Sequence, residues 1–163
     1  MRKILAVLVW SAVCSLAAAA QDHPRGELFG GYQFTHFDPN VNANGWNASI
    51  AGNLNNWFGV AADFSGAYKN GGKLHTFMAG PVFSIRKSEA VTPFAHVLIG
   101  GATASGGGIS TSGFATAIGG GLDVKVNKHI AVRLVQADWL LFRSGGETDK
   151  KNARISAGLV LRF

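Results

Sequence analysis

Cysteine is almost absent from this 163-residue chain: the single one, Cys14, lies in an apolar amino-terminal stretch. With no partner cysteine in the chain, neither a disulfide framework nor a cysteine metal site can form. Proline is scarce at 4 residues, and no long apolar run follows residue 20, which excludes a transmembrane helix beyond that point. Since no later segment shows helical spacing either, short extended segments are left as the structural units.

The sequence also lacks the residue clusters that are typical of nucleic-acid-binding, phosphate-binding, metal and catalytic sites. The formal net charge is +6, but the basic residues are scattered singly, which does not indicate a nucleic-acid surface. Two glycine clusters, at 106–108 and 119–121, are followed by strand-like rather than helical sequence, so neither resembles a phosphate-binding loop. We therefore expect no catalytic residue and no cofactor. We also expect no metal site, because no histidine pair has metal-ligand spacing. The histidines are His23, His36, His75, His96 and His129.

The amino terminus has the three parts of a secretory signal peptide. Arg2 and Lys3 supply a positive region, residues 4–16 are apolar, and the small residues up to Ala20 form a cleavage site. We expect residues 1–20 to be removed and residues 21–163 to form one domain, since this length suits a single domain.

Alternation of apolar and polar residues with a period of two predicts eight strands. A one-residue bulge near Leu134-Val135 is needed in the seventh to keep its polar residues on one face, and Pro81 indicates a bulge in the fourth. Asn70-Gly71 favours a primed hairpin turn. The predicted strands are 27–37, 45–54, 57–68, 73–86, 92–103, 114–126, 130–143 and the residues that follow 151.

The two faces of these strands differ in a way that decides the class. One face carries large aliphatic and aromatic residues, while the other is crowded with glycine, alanine, serine and isolated charges. Small and charged residues suit the narrow interior of an eight-stranded barrel, which side chains fill, and the apolar face suits lipid. We expect an interior polar network rather than a conducting pore, with Arg133 paired to Asp123 or Asp138. The expected network is Asp63, Asp123, Arg133, Asp138 and Arg154.

The carboxyl terminus carries a recognisable motif. Ser156, Gly158, Leu161 and the terminal Phe163 resemble the sorting signal of bacterial outer-membrane barrels, which implies recognition by the barrel-assembly machinery. Residues 27–163 as a whole resemble the small OmpA- and OmpX-type barrels, which are porin-family proteins of the Gram-negative cell envelope. A periplasmic domain is not part of this resemblance. The resemblance implies an all-β fold, an eight-stranded antiparallel up-and-down transmembrane β-barrel in the cell outer membrane.

Such a barrel would place both termini in the periplasm and four loops outside, at 38–44, 69–72, 106–112 and 144–151. Aromatic residues near the strand ends are expected to form interfacial girdles: Phe37, Trp46, Trp57, Tyr68, Phe142 and Phe163. Basic residues near the outer rim are expected to meet lipopolysaccharide phosphates: Lys69, Lys73, Arg143, Lys150 and Lys151.

Three functions are consistent with this sequence. We favour a monomeric, non-enzymatic barrel that contacts outer-membrane lipid and has a structural or surface-interaction role, because no reactive cluster converges. One alternative is a barrel enzyme acting on lipid A, for which a mass shift of lipid A would be the evidence. The other is a soluble lipocalin-type lipid carrier, which would bury its large apolar residues around a cavity and usually has a flanking helix.

Overall fold

The computed structural model of the chain describes residues 23–37 and 41–163, which form one closed sheet of eight antiparallel strands. Each strand pairs with the next, and β1 pairs with β8, with Leu28 opposite Leu161. No helix in this part of the chain is long and apolar enough to cross a membrane. The predicted signal peptide, 1–20, lies outside the described residues. The strands are β1 (Gly26–Phe37), β2 (Val41–Asn53), β3 (Phe58–Lys69), β4 (Gly72–Ser84), β5 (Val91–Gly106), β6 (Ile109–Lys125), β7 (Ile130–Ser144) and β8 (Glu147–Arg162).

The closed sheet is apolar on its outside. Phe64, Ile118 and Leu161 are each at least 40% exposed, whereas Asp63 and Asp138 are almost completely buried in the lumen. Successive residues of a strand point to opposite faces, so this distribution follows from the alternation in the sequence. The predicted barrel is confirmed, and a lipocalin-type arrangement, with the large apolar residues inside, is not found.

The predicted bulge in β7 is confirmed. Val135 lies opposite Leu122 and Arg133 lies opposite Asp123, so Leu134 has no partner on β6. Leu134 and Val135 both face outward. The extra residue returns the polar side chains that follow it to the lumen.

The bulge expected at Pro81 is wrong. Ala79 pairs with Ile99 and Val82 with His96, which keeps one register on both sides of the proline. The ladder to β5 is interrupted there instead, because proline has no backbone N–H to donate.

The two ends of the barrel are built from different turns. At the end named here the hairpin end, β3 and β4, β5 and β6, and β7 and β8 are joined by two-residue turns, 70–71, 107–108 and 145–146, whose residues all have positive φ. Asn-Gly and Gly-Gly pairs supply that conformation, so the primed turn predicted at Asn70-Gly71 is confirmed. The loops expected at 106–112 and 144–151 are wrong, because the strands continue to the turns. The loop expected at 38–44 is shorter as well, since β2 begins at Val41, and residues 38–40 lie outside the described residues.

The opposite end, named the terminal end, contains the start of β1 and the finish of β8. Its connections after β2 and after β6 share one device, an asparagine side chain that accepts two backbone N–H groups. Asn55 Oδ1 accepts from Trp57 and Phe58 at 2.9 and 2.8 Å. Asn127 Oδ1 accepts from His129 and Ile130, both at 2.8 Å. These side chains satisfy donors that the strands leave open.

Candidate functional site

The half of the lumen toward the terminal end is filled by ion pairs centred on Arg154 of β8. Its guanidinium donates to Asp63 Oδ1 at 2.8 Å and to Asp138 Oδ2 at 2.7 Å. His96 Nε2 lies 2.8 Å from the other oxygen of Asp138, and Gln136 Nε2 donates to Oδ2 at 2.8 Å. Every one of these side chains is buried, and charge-assisted bonds of this kind are among the strongest hydrogen bonds in proteins.

Arg133 of β7 continues the network toward the terminal end. It holds Asp123 in a bidentate pair, through Nε at 2.8 Å and Nη2 at 3.1 Å, and donates from Nη1 to Gln136 at 2.7 Å. The guanidinium lies between two aromatic rings, 4.4 Å from the centroid of Phe29 and 4.2 Å from that of Phe94. Stacking of this kind stabilises a buried cation.

Two further arginines extend the network to the mouth of the terminal end. Arg162 Nε lies 2.9 Å from Glu27 Oε1, and its Nη2 lies 3.5 Å from Asp123 Oδ2. Arg86 Nη2 lies 3.3 Å from Glu27 Oε2, and Nη1 donates to the backbone carbonyl of Asn56. Burial lowers the pKa of Arg86 from its ordinary value, and the Glu27 carboxylate opposes that shift.

These ion pairs join four guanidinium groups and four carboxylates, so their formal charges cancel. We name this set the charge ladder; its members are Glu27, Asp63, Arg86, Asp123, Arg133, Asp138, Arg154 and Arg162. A buried charge is tolerated where it is paired and hydrogen-bonded. The ladder therefore provides a filled interior in which each charge has an opposite neighbour.

All five residues of the expected interior network lie in the charge ladder, and Arg133 is paired to Asp123 rather than Asp138. Sequence reasoning left out three charged members, Glu27, Arg86 and Arg162, although each lies on the mixed face of its segment. It also left out neutral partners of the ladder, among them His96 and Gln136. These side chains could have been predicted from the alternation along each strand, because all of them lie at positions that point inward.

The ladder leaves little empty space and little reactive chemistry. The cavity among its residues has a volume of about 30 Å³, room for roughly one water molecule. Over residues 23–37 and 41–163, no group of three or more His, Cys, Asp or Glu side chains is placed to hold a metal ion. Each carboxylate of the ladder already faces a cation, so this half of the lumen is suited to holding the barrel together.

The half of the lumen toward the hairpin end has an apolar core with neutral polar side chains, such as Thr76 and Asn152, beside it. Met78, Leu98 and Leu140 are almost completely buried and, with small alanines, form one cluster above the ladder. Beyond them Phe37 and Phe142 meet inside the lumen, with ring centroids 6.3 Å apart. The expectation that these two residues belong to the interfacial girdle is therefore wrong, because both lie on the inward register of their strands.

The outward face near the hairpin end carries a hydrogen-bonded row of polar aromatic side chains. Trp46 Nε1 donates to the Tyr68 hydroxyl at 3.1 Å, and the same hydroxyl lies 3.1 Å from His75 Nε2. Thr103 is the neighbour of His75 across the β4–β5 pair; its hydroxyl is hydrogen-bonded to that of Ser112 at 3.1 Å. For Thr103 to act as a nucleophile with His75 as its base, its hydroxyl would have to donate to the ring nitrogen, and that nitrogen lies against the Tyr68 hydroxyl instead.

The residues of the carboxyl-terminal motif have distinct positions in β8. Ser156 is buried in the lumen, while Leu161 and Phe163 face outward. Phe163 exchanges two backbone hydrogen bonds with Gly26, which closes the barrel at its last residue. Gly158 packs against β1 so closely that a Cβ there would lie 2.3 Å from the Gly30 carbonyl oxygen, so a larger residue would push the two strands apart.

Comparison with known proteins gives one family and several similar folds. Residues 5–163 match the family described as outer membrane protein β-barrel domain. Neisserial surface protein A is similar over 85% of this chain and 96% of its own, with 13% identity and a TM-score of 0.68. Ail of Yersinia pestis is 21% identical over 86% of this chain and 99% of its own, with a TM-score of 0.55. The amino-terminal barrel of Pseudomonas aeruginosa OprF is 13% identical over 87% of this chain and 100% of its own, with a TM-score of 0.56. No curated protein sequence matches the chain.

Proposed function

Because the chain belongs to the outer-membrane β-barrel family, we propose that it is a structural and surface-interaction barrel of the outer membrane, without catalytic activity of its own. The charge ladder carries this proposal, since it fills the half of the lumen toward the terminal end and so leaves no continuous pore for transport. A closed sheet has no unpaired strand edge, which supports a monomer.

We assign the hairpin end to the cell exterior and lipopolysaccharide as the partner of its rim. Three exposed basic residues, Lys69, Lys73 and Arg143, lie near the three turns of this end. Lys150 and Lys151 add to them on β8. Below the rim, Trp46 and Tyr68 form the polar aromatic row that is typical of the headgroup level of a membrane. Phosphate groups of the outer leaflet would meet the cations directly above that row.

Binding of lipopolysaccharide by the folded protein tests this assignment. The variant Lys69→Gln/Lys73→Gln/Arg143→Gln should lose affinity for lipopolysaccharide in lipid nanodiscs, since each basic residue near an anionic surface contributes on the order of 1 kcal/mol. The matched control is Lys87→Gln/Lys125→Gln/Lys128→Gln, which removes exposed cations of the terminal end. Equal affinities for the two variants would contradict the assignment.

Mass spectrometry of lipid A tests the absence of catalysis. We expect lipid A from cells that express the protein to keep its mass, because the hydrogen-bond partner of His75 is the phenolic hydroxyl of Tyr68 and not a serine or threonine hydroxyl. A shift in mass that disappears in the His75→Ala variant would establish an enzyme instead.

We further propose that Ser156, Gly158, Leu161 and Phe163 form the signal for the barrel-assembly machinery. The Phe163 side chain is 55% exposed, so Phe163→Ser should reduce the amount of assembled protein in cells while refolding in detergent stays close to wild type. A matched control is Leu159→Ser, an outward position of β8 outside the signal. Normal assembly of Phe163→Ser in cells would remove this role.

A further inference from the structure

We propose that the hairpin end of the lumen binds a free, single-chain anionic amphiphile of the long-chain carboxylate class. The site is an open apolar cavity, which we name the cup. Side chains of six strands line it: Phe37, Ala43, Ala67, Leu74, Ala102 and Phe142. It is separate from the charge ladder and opens inside the basic rim, with which it shares Lys69, Lys73 and Arg143.

The cup has the size and the lining of a small-molecule site. It consists of two adjoining pockets of about 420 and 330 Å³, which share Phe37, Leu74, Ala104 and Thr111 as lining residues. Ligand sites usually span roughly 300–1,000 Å³ and are mostly apolar with a few polar groups. The floor is the buried cluster around Leu98, which closes the cup toward the charge ladder.

The basic residues at the mouth of the cup, which we name its lip, favour an anionic head group on the ligand. Lys69 and Lys73 line the larger pocket and Arg143 lines the smaller one, while no aspartate or glutamate among the described residues lines either. Asp149 lies nearby, opposite Phe142 on β8, and its side chain accepts the Lys151 backbone N–H. An alkyl chain in the cup with its carboxylate at the lip would satisfy both the apolar wall and the cations.

The walls of the cup indicate a ligand that arrives from solution rather than from the bilayer. The β5–β6 and β7–β8 hairpins continue to the turns at 107–108 and 145–146. An acyl chain of an outer-leaflet lipid would have to leave the hydrocarbon region and pass over this wall, exposing its apolar surface to water. A free carboxylate amphiphile enters the open mouth directly.

Methyl NMR of alanine-labelled protein in nanodiscs, titrated with dodecanoate, tests the proposal. We expect saturable shifts of the Ala67 and Ala102 methyls, which lie in the cup, and none at Ala131, which is buried at the terminal end. Ala102→Phe should abolish saturation by filling the cup, whereas Ala62→Phe, on the outer face, should preserve it. Lys69→Gln/Lys73→Gln should weaken binding about tenfold, and dodecyltrimethylammonium should bind more weakly than dodecanoate.

The proposal is overturned if the Ala67 and Ala102 shifts rise without saturation alongside that of the lipid-facing Ala62 methyl, because dodecanoate would then only be entering the bilayer. Equal binding of the cationic amphiphile, or saturable binding by Ala102→Phe, would overturn it as well. Heat-modifiable gel mobility reports whether each variant is folded. If Ala102→Phe does not fold, Leu74→Trp at the lip blocks the same space. If the wild-type protein does not bind lipopolysaccharide, the shifts expected for Ala67 and Ala102 with dodecanoate stay the same, so the two proposals fail separately.

Discussion

The two halves of the lumen are enclosed by the same eight strands but filled in opposite ways. Toward the terminal end, long charged side chains reach across the barrel, and Arg154 contacts carboxylates from β3 and β7. Toward the hairpin end, alanines and a few larger apolar residues leave the cup open. The half toward the terminal end is closed by directional hydrogen bonds and ion pairs. The half toward the hairpin end is held by non-directional apolar contacts and retains space for a ligand.

This difference indicates where the register of the barrel is specified. A strand that slips by one residue exposes its inward set to lipid, and charges at membrane depth are costly. A slip of an alanine-rich segment has a much smaller cost, since alanine is tolerated on either face. We therefore hypothesise that the charge ladder selects a single strand pairing and that the cup half follows it.

Deletion of Leu134 should have the largest effect. Without the bulge, one side of β7 must turn its polar residues outward, and an arginine at the bilayer midplane alone costs about 2–4 kcal/mol. We expect no heat-modifiable folded band on gels. Leu134→Val keeps the residue count and should fold. A deletion variant with wild-type mobility would show that the bulge does not set the register.

Arg154→Met should destabilise the barrel by about 3–5 kcal/mol, because Asp63 and Asp138 are left buried without their cation. Urea unfolding in lipid vesicles, followed by tryptophan fluorescence, measures the loss. Adding Asp63→Asn and Asp138→Asn to the same chain should recover part of it, since the unpaired charges are removed. If Arg154→Met is as stable as the wild-type protein, the charge ladder does not stabilise the barrel.

In the apolar half, Leu140→Ala should cost about 2 kcal/mol, the lower end for such truncations. Space opened beside the cup can be reached from the mouth, so the penalty should be smaller than for Arg154→Met. The control is Leu159→Ala on the lipid-facing side, where Leu159 is 57% exposed. A larger loss of stability for Leu159→Ala than for Leu140→Ala would contradict tight packing at the floor of the cup.

The smallest effect is expected at the boundary between the halves. Asn152 lies opposite Leu140 on β8 and is 1% exposed, and neither polar side-chain atom has a hydrogen-bond partner among the described residues. Burying unsatisfied polar groups costs free energy, so Asn152→Leu should be neutral or more stable by up to about 1 kcal/mol. Unfolding in urea measures this, and a clear destabilisation would mean that Asn152 is hydrogen-bonded in the membrane.

The strand pattern was predictable because it is local. Period two separates inward from outward residues within each strand, which also placed Asp63 and Arg154 inside before their contacts were known. The bulge at Leu134 could be inferred because Gln136 and Asp138 would otherwise have been on the apolar face. The same reasoning failed at Phe37 and Phe142, since it judged these aromatics by their position near strand ends and not by their register.

The sequence by itself determined that this chain is a β-barrel with an apolar outside and a small, charged inside. Only the tertiary structure decided which charges pair, since Arg154 and Asp63 are 91 residues apart, and that an apolar cup remains at one end. The physical reason is that alternation depends on neighbouring residues of one strand. Contacts across the lumen depend instead on the stagger of all eight strands around a closed cylinder.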